Sequence, residues 1–210
     1  MALIKTPTPN ADPAQLHLPE RPERDCAQLL AQLHDERPEA RRWAARDLVD
    51  CPGSSAAVVA GLLAESDHSV REIMLTTLVR MGDADAVEGL VRCLRSEDAA
   101  LRNEAIEALK QLPQAVAPIM QRLLGDADSD LRIFAVNVLE SLRHPDVETW
   151  LTEVIAHDAH VNVCATAVDL LGEVGSERAL QPLRALKARF GAEPYIQFAA
   201  DLAIQRIQRS

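Results

Sequence analysis

Residues 126–146 read DADSDLRIFAVNVLESLRHPD. Acidic and small polar residues come first, apolar residues then recur at helical spacing, and Arg143-His144-Pro145 closes the run. That periodicity predicts one amphipathic helix with an acid-rich start. Sliding the stretch along the chain finds its relatives. The segment from Leu131 aligns with those from Ala40, Val70, Leu101 and Val163, each with apolar residues at the first, fifth, sixth and ninth places. The second places hold Arg41, Arg71, Arg102, Arg132 and Cys164, spaced 30, 31, 30 and 32 residues apart. The stretch is one copy of five, and internal repetition sets the architecture.

A second amphipathic segment follows each copy: SSAAVVAGLLAES, DADAVEGLVRCLRS, PQAVAPIMQRLLG, HPDVETWLTEVIA and SERALQPLRALKARFG. Ser, Asp or Pro stands at or near each start, which suits an N-cap or a first helical turn. Each unit is therefore a helix, a turn and a helix. ERDCAQLLAQLHDE ahead of the first unit and EPYIQFAADLAIQRIQRS after the last read as capping helices. The expected fold is an all-α solenoid of about twelve helices, a right-handed curved stack of five pairs between a leading and a trailing helix. Residues 22–210 are expected to form its single domain. Residues 1–21 carry most of an early cluster of prolines and read as a flexible tail.

A two-helix unit of this length resembles the HEAT repeats, in particular the short form named for the phycobilisome lyases, with a pattern near D-x-x-V-R-x-x-A-A-x-A-L-G-x-L-G. Asp67-His68-Ser69-Val70-Arg71, Asp128-Ser129-Asp130-Leu131-Arg132 and Leu171-Gly172-Glu173-Val174-Gly175 carry the resemblance. The shared residues have structural reasons. Asp67, Asp98 and Asp128 are placed to accept from the free N–H groups of a helix start. Ala44-Ala45 and Ala199-Ala200 let helices approach closely. The second-place arginines, stacked one repeat apart, are expected to pair with acids of the adjoining turn in a ladder.

Composition narrows the function. The net charge of −10 argues against a nucleic-acid binder, which needs clustered Lys and Arg; the same deficit speaks against the HEAT-like DNA glycosylases. The chain lacks a His-Glu dipeptide, which the iron-binding deoxyhypusine hydroxylases of similar fold use. It also lacks G-x-G-x-x-G, Walker, G-x-S-x-G and H-E-x-x-H motifs. Cys26, Cys51, Cys93 and Cys164 are scattered and read as buried thiols of a reducing compartment. With no apolar run long enough for a signal peptide or a membrane span, a cytoplasmic location is expected.

What remains is a non-catalytic scaffold or adaptor, binding a partner protein on the inner surface that the second helices line. Candidate contacts are Glu88, Arg92, Gln121, Arg122, Thr152, Glu153, Arg184 and Lys187, together with Trp150, which replaces a small residue or proline and is expected to project as an anchor. The acids Glu148 and Glu153 beside it favour a partner with a basic patch. Trp43, Ile73, Phe134 and Phe198, at the fourth places of first helices, form either packing between repeats or an outer apolar stripe. His157, His160 and Cys164 have a spacing open to metal, but an inner thiol at a packing position is an ordinary filler, and no metal or cofactor is expected. The lyase resemblance implies the alternative, an enzyme or chaperone that handles a tetrapyrrole.

Overall fold

The computed structural model describes residues 25–209, so the expected tail at residues 1–21 lies outside it. Among the described residues there are α-helices and short 3-10 turns and no strand. The helices are α1 (Cys26–Gln32), α2 (Pro38–Asp47), α3 (Ser55–Ala64), α4 (His68–Met81), α5 (Ala84–Cys93), α6 (Ala99–Lys110), α7 (Pro113–Val116), α8 (Met120–Leu124), α9 (Ser129–Leu139), α10 (Val147–His157), α11 (Val161–Val174), α12 (Leu180–Arg189) and α13 (Pro194–Ile207). One helix more than expected appears because the second segment of the third unit is broken. Pro118, which has no N–H to donate, sits inside a 3-10 turn over Ala117–Ile119 that separates α7 from α8. Counted as one interrupted helix, α7–α8 completes five pairs between α1 and α13.

The first helices α2, α4, α6, α9, α11 and α13 pack in that order, each on the next. The repeated apolar places face this seam: Leu131, Ala135, Val136 and Leu139 of α9 are buried, as are Val70, Met74, Leu75 and Leu78 of α4. The predicted caps are made. Asp67 Oδ1 accepts from the N–H groups of Ser69 at 2.9 Å and Val70 at 3.1 Å, Asp98 caps α6 in the same way, and Asp128 Oδ1 accepts from Asp130 N–H at 2.9 Å. At the close of α4, Gly82 takes a left-handed φ of 57°, which ends the helix at little steric cost.

The arginine ladder is built in two parts. Within each repeat the guanidinium donates to carbonyls of the preceding turn: Arg41 to Asp35 and Glu36, Arg102 to Ser96 and Glu97, Arg132 to Asp126 and Ala127. Towards the next repeat, Arg41 grips Glu65 at 2.7 and 2.9 Å, Arg71 meets Asp98 at 2.8 Å, and Arg132 grips Asp158 at 2.6 and 3.0 Å. Arg102 departs from the expectation. Asp126, the acid in the matching place, is taken by Arg95 at 2.6 Å, and the Arg102 guanidinium lies 5.8 Å from the Phe134 ring centroid instead. Where Cys164 stands in place of arginine, its thiol donates to the Asp158 carbonyl at 3.3 Å. Arg189 of α12 reaches back to supply the missing guanidinium, donating to the carbonyls of Ile155 at 2.9 Å and Asp158 at 2.8 Å.

The cysteine reading needs correction. Cys26 and Cys51 form a disulfide across 25 residues, joining α1 to the turn after α2. Their wide separation in sequence hid a pairing that the folding of α1 back onto α2 creates. Cys93 and Cys164 are buried free thiols as expected, and burial pushes the Cys93 thiol up to about 11. No helix among the described residues is long and apolar enough to cross a membrane.

Candidate binding groove

Size at one repeated place shapes the layer of second helices. In α5 the place is Gly89, and α5 lies so close to α3 that a Cβ there would come within 2.1 Å of a Val59 methyl. In α10 the same place holds Trp150. An indole cannot enter such a contact, and α10 packs against α11 and α12 while barely meeting α8. A groove of about 510 Å³ opens between α8 and α10. Leu124, Val154 and the indole give it an apolar floor; Gln121, Asp126, Glu153 and His157 line the sides.

Trp150 does not project as expected. Its residue exposure is only 7 %, and the ring stacks on His144 with centroids 5.0 Å apart and planes 13° from parallel. The place it occupies faces the neighbouring repeat rather than solvent, so the indole is floor, not anchor.

The groove is acidic where it is polar. Arg132 and Asp158 close one end; burial works against the Asp158 charge, but the Arg132 guanidinium and the His160 backbone N–H together outweigh it and hold the carboxyl below the usual range. Asp126 is held low by the Asp128 backbone N–H and by Arg95. Glu153 is exposed and has no ion pair among the described residues. That leaves an uncompensated carboxylate beside an indole and two aliphatic side chains.

Of the residues singled out from sequence, the structure brings Gln121, Trp150 and Glu153 together in this groove. Glu88 and Arg122 form an exposed ion pair of 2.7 Å that ties α5 to α8 alongside it. Arg92 and Arg184 are exposed on α5 and α12, and Thr152 is half-buried on α10. Lys187 turns from the second-helix face to pair with Asp201 of α13. His157 lines the groove while Cys164 lies buried under Arg189. Among the described residues no group of three potential ligands is arranged to hold a metal ion. The fourth-place aromatic stripe divides: Ile73 and Phe134 pack on the core, whereas Trp43 and Phe198 at the two ends stay 48 % and 67 % exposed. Asp126 and Asp158 were missed as lining residues, although both stand six places before a second-place residue, as Glu65 does.

A stack of helix pairs in which each first helix packs on the next defines an α-solenoid. The sequence profile of the HEAT repeats matches residues 26–110 and 116–191, and the chain belongs to the HEAT-repeat family. It is similar to the bilin biosynthesis protein PecE of Mastigocladus laminosus, with 30 % identity over 173 residues that cover 77 % of this chain. The chain spans 64 % of the length of that relative. Among solved structures, the archaeal HEAT-like repeats protein of Thermococcus onnurineus is 17 % identical, with 88 % of this chain and 87 % of that one covered and a TM-score of 0.45. The complex of CpcE and CpcF of phycocyanin lyase from a Nostoc species is 19 % identical, covers 96 % of this chain and 100 % of its own, and has a TM-score of 0.38.

Proposed function

We propose that the chain is a non-catalytic protein-binding module that takes a basic segment of a partner into the groove between α8 and α10. The observation that carries this reading is the unpaired Glu153 carboxylate beside an apolar floor in an open groove of about 510 Å³. An aliphatic stem on such a floor and an ammonium or guanidinium at its acidic rim is how Lys and Arg side chains bind. Affinity capture from cells that make the protein tests the proposal: Glu153→Lys is expected to release a partner that the wild type retains, and the partner should carry clustered basic residues. Equal retention by both proteins sinks the reading.

The similarity to a bilin biosynthesis protein favours a second reading, in which the bound partner is an apoprotein that receives a tetrapyrrole, or the groove holds the tetrapyrrole itself. Titration with a free bilin, followed by visible absorbance, separates the two: a saturable spectral change that Gln121→Trp abolishes supports chromophore handling, and an unchanged spectrum leaves the protein partner alone.

A further inference from the structure

We infer that the trough between α4 and α6, on the face formed by the first helices, is a second docking site, for a basic amphipathic helix of a partner protein. The trough encloses about 560 Å³, with Leu75 and Val79 of α4 and Ala108 of α6 as its apolar floor. Its origin is a small residue. Ala108 stands at the eighth place of its repeat, where α9 carries Val138 and α11 carries Leu170, so a methyl fills the space that larger side chains fill further along.

The rim selects the sign of the occupant. Glu104 and Glu107 of α6 line one side of the trough, and His68, Glu72 and Arg80 of α4 line the other. Glu72 has no ion pair among the described residues. Glu107 shares the single Lys110 ammonium, at 3.0 Å, with Glu140. Glu104 carries an unused acceptor: Oε1 is 3.2 Å from His68 Nδ1, while Oε2, which has no hydrogen-bond partner, lies 3.7 Å from Arg71 Nη1, the other terminal nitrogen of that guanidinium serving Asp98. The terminal carboxylate torsion is soft, so this acceptor can turn towards a donor laid in the trough. A cationic side chain satisfies it and relieves the acidic surplus, while an acidic or purely apolar occupant does neither. The lining residues of α4 run from His68 to Arg80, a length of about 18 Å at the helical rise, enough to seat roughly three turns.

The test uses the full chain and a capped peptide of about four turns with Leu on one face and Lys on the other, beside the same peptide with Glu for Lys and a scrambled version. By fluorescence anisotropy the Lys peptide is expected to bind and the other two to bind at least about tenfold more weakly. Ala108→Leu, which installs the residue α11 already uses, is expected to weaken binding about tenfold or more by filling the trough. Thr76→Trp serves the same purpose from α4. The pair Glu72→Lys with Glu107→Lys is expected to cost about fivefold to tenfold, with less effect at high salt. Glu153→Lys, in the α8–α10 groove, leaves this affinity within about twofold, so the two sites fail or stand separately. No binding of the Lys peptide, equal binding of its Glu counterpart, indifference to both filling variants, or loss through Glu153→Lys overturns the inference.

Discussion

Removing the Arg132 side chain is expected to destabilise the stack far more than removing Arg102, although the two occupy the same place in consecutive repeats. Both donate to two carbonyls of their own preceding turn. Only Arg132 also holds a carboxylate, gripping Asp158 through two nitrogens, and the partners' side chains are 15 % and 7 % exposed. Arg132→Ala leaves that nearly buried carboxylate with little beyond the His160 backbone N–H, at 2.8 Å. Stranding one partner of a buried pair costs about 3 kcal/mol, and the lost carbonyl bonds add about 1 kcal/mol. Arg102→Ala loses only the latter and a ring contact, about 1 kcal/mol. For a chain of this size the difference is about 6–12 °C in melting temperature, readable by circular dichroism together with urea midpoints. The gap depends on pH. Asp158 is held below its ordinary value in the folded state, so the pair stabilises fully above the unfolded carboxylate pKa of about 3.9 and its contribution is lost as pH falls through the lower folded value. Arg132→Ala should therefore approach wild type on acidification, and Asp158→Asn added to Arg132→Ala should recover part of the loss. Equal melting shifts for Arg132→Ala and Arg102→Ala would refute the bridging role.

Gly89→Ala should lower stability by about 1–3 kcal/mol because its methyl collides with Val59, and Val59→Ala in the same chain should recover most of it; additive losses would contradict the packing account. Trp150→Ala should cost about 3–5 kcal/mol, since it empties the groove floor and unstacks His144; a melt near wild type would mean that the indole is not packed as described. Without reductant, unfolded protein should expose two reactive thiols, Cys93 and Cys164, and reduction should raise the number to four. Reduction should also cost about 3 kcal/mol through the loop it frees, most strongly at α1 by hydrogen exchange; four thiols before reduction would remove the link.

The repeat was legible because it is written in residues that act locally. Asp67, Asp98 and Asp128 cap their own helices, and Leu131, Ala135, Val136 and Leu139 share one face whatever lies beyond it. The ladder was legible as a device but not in its pairing: which acid serves Arg102 is decided by competition with Arg95, a long-range outcome. The disulfide escaped for a related reason, since only the return of α1 onto α2 brings Cys26 to Cys51. Of the polar strip on the second helices, Gln121 and Glu153 line the groove, whereas Lys187 is drawn away by Asp201 on α13. Trp150 was placed correctly as the odd residue in a place of small ones. Its direction depended on the gap between α8 and α10, which the indole itself helps to create.

The most direct test of the groove places a photo-reactive benzophenone side chain at Gln121, on the lip of the α8–α10 groove, and irradiates the protein in extract from cells that make it. The account predicts a covalent adduct with a protein whose cross-linked segment is rich in Lys or Arg. Adding Glu153→Lys should abolish that adduct, and moving the probe to Glu140, on the first-helix layer, should not yield it. No adduct at Gln121, an acidic cross-linked segment, or an adduct that survives Glu153→Lys would contradict it.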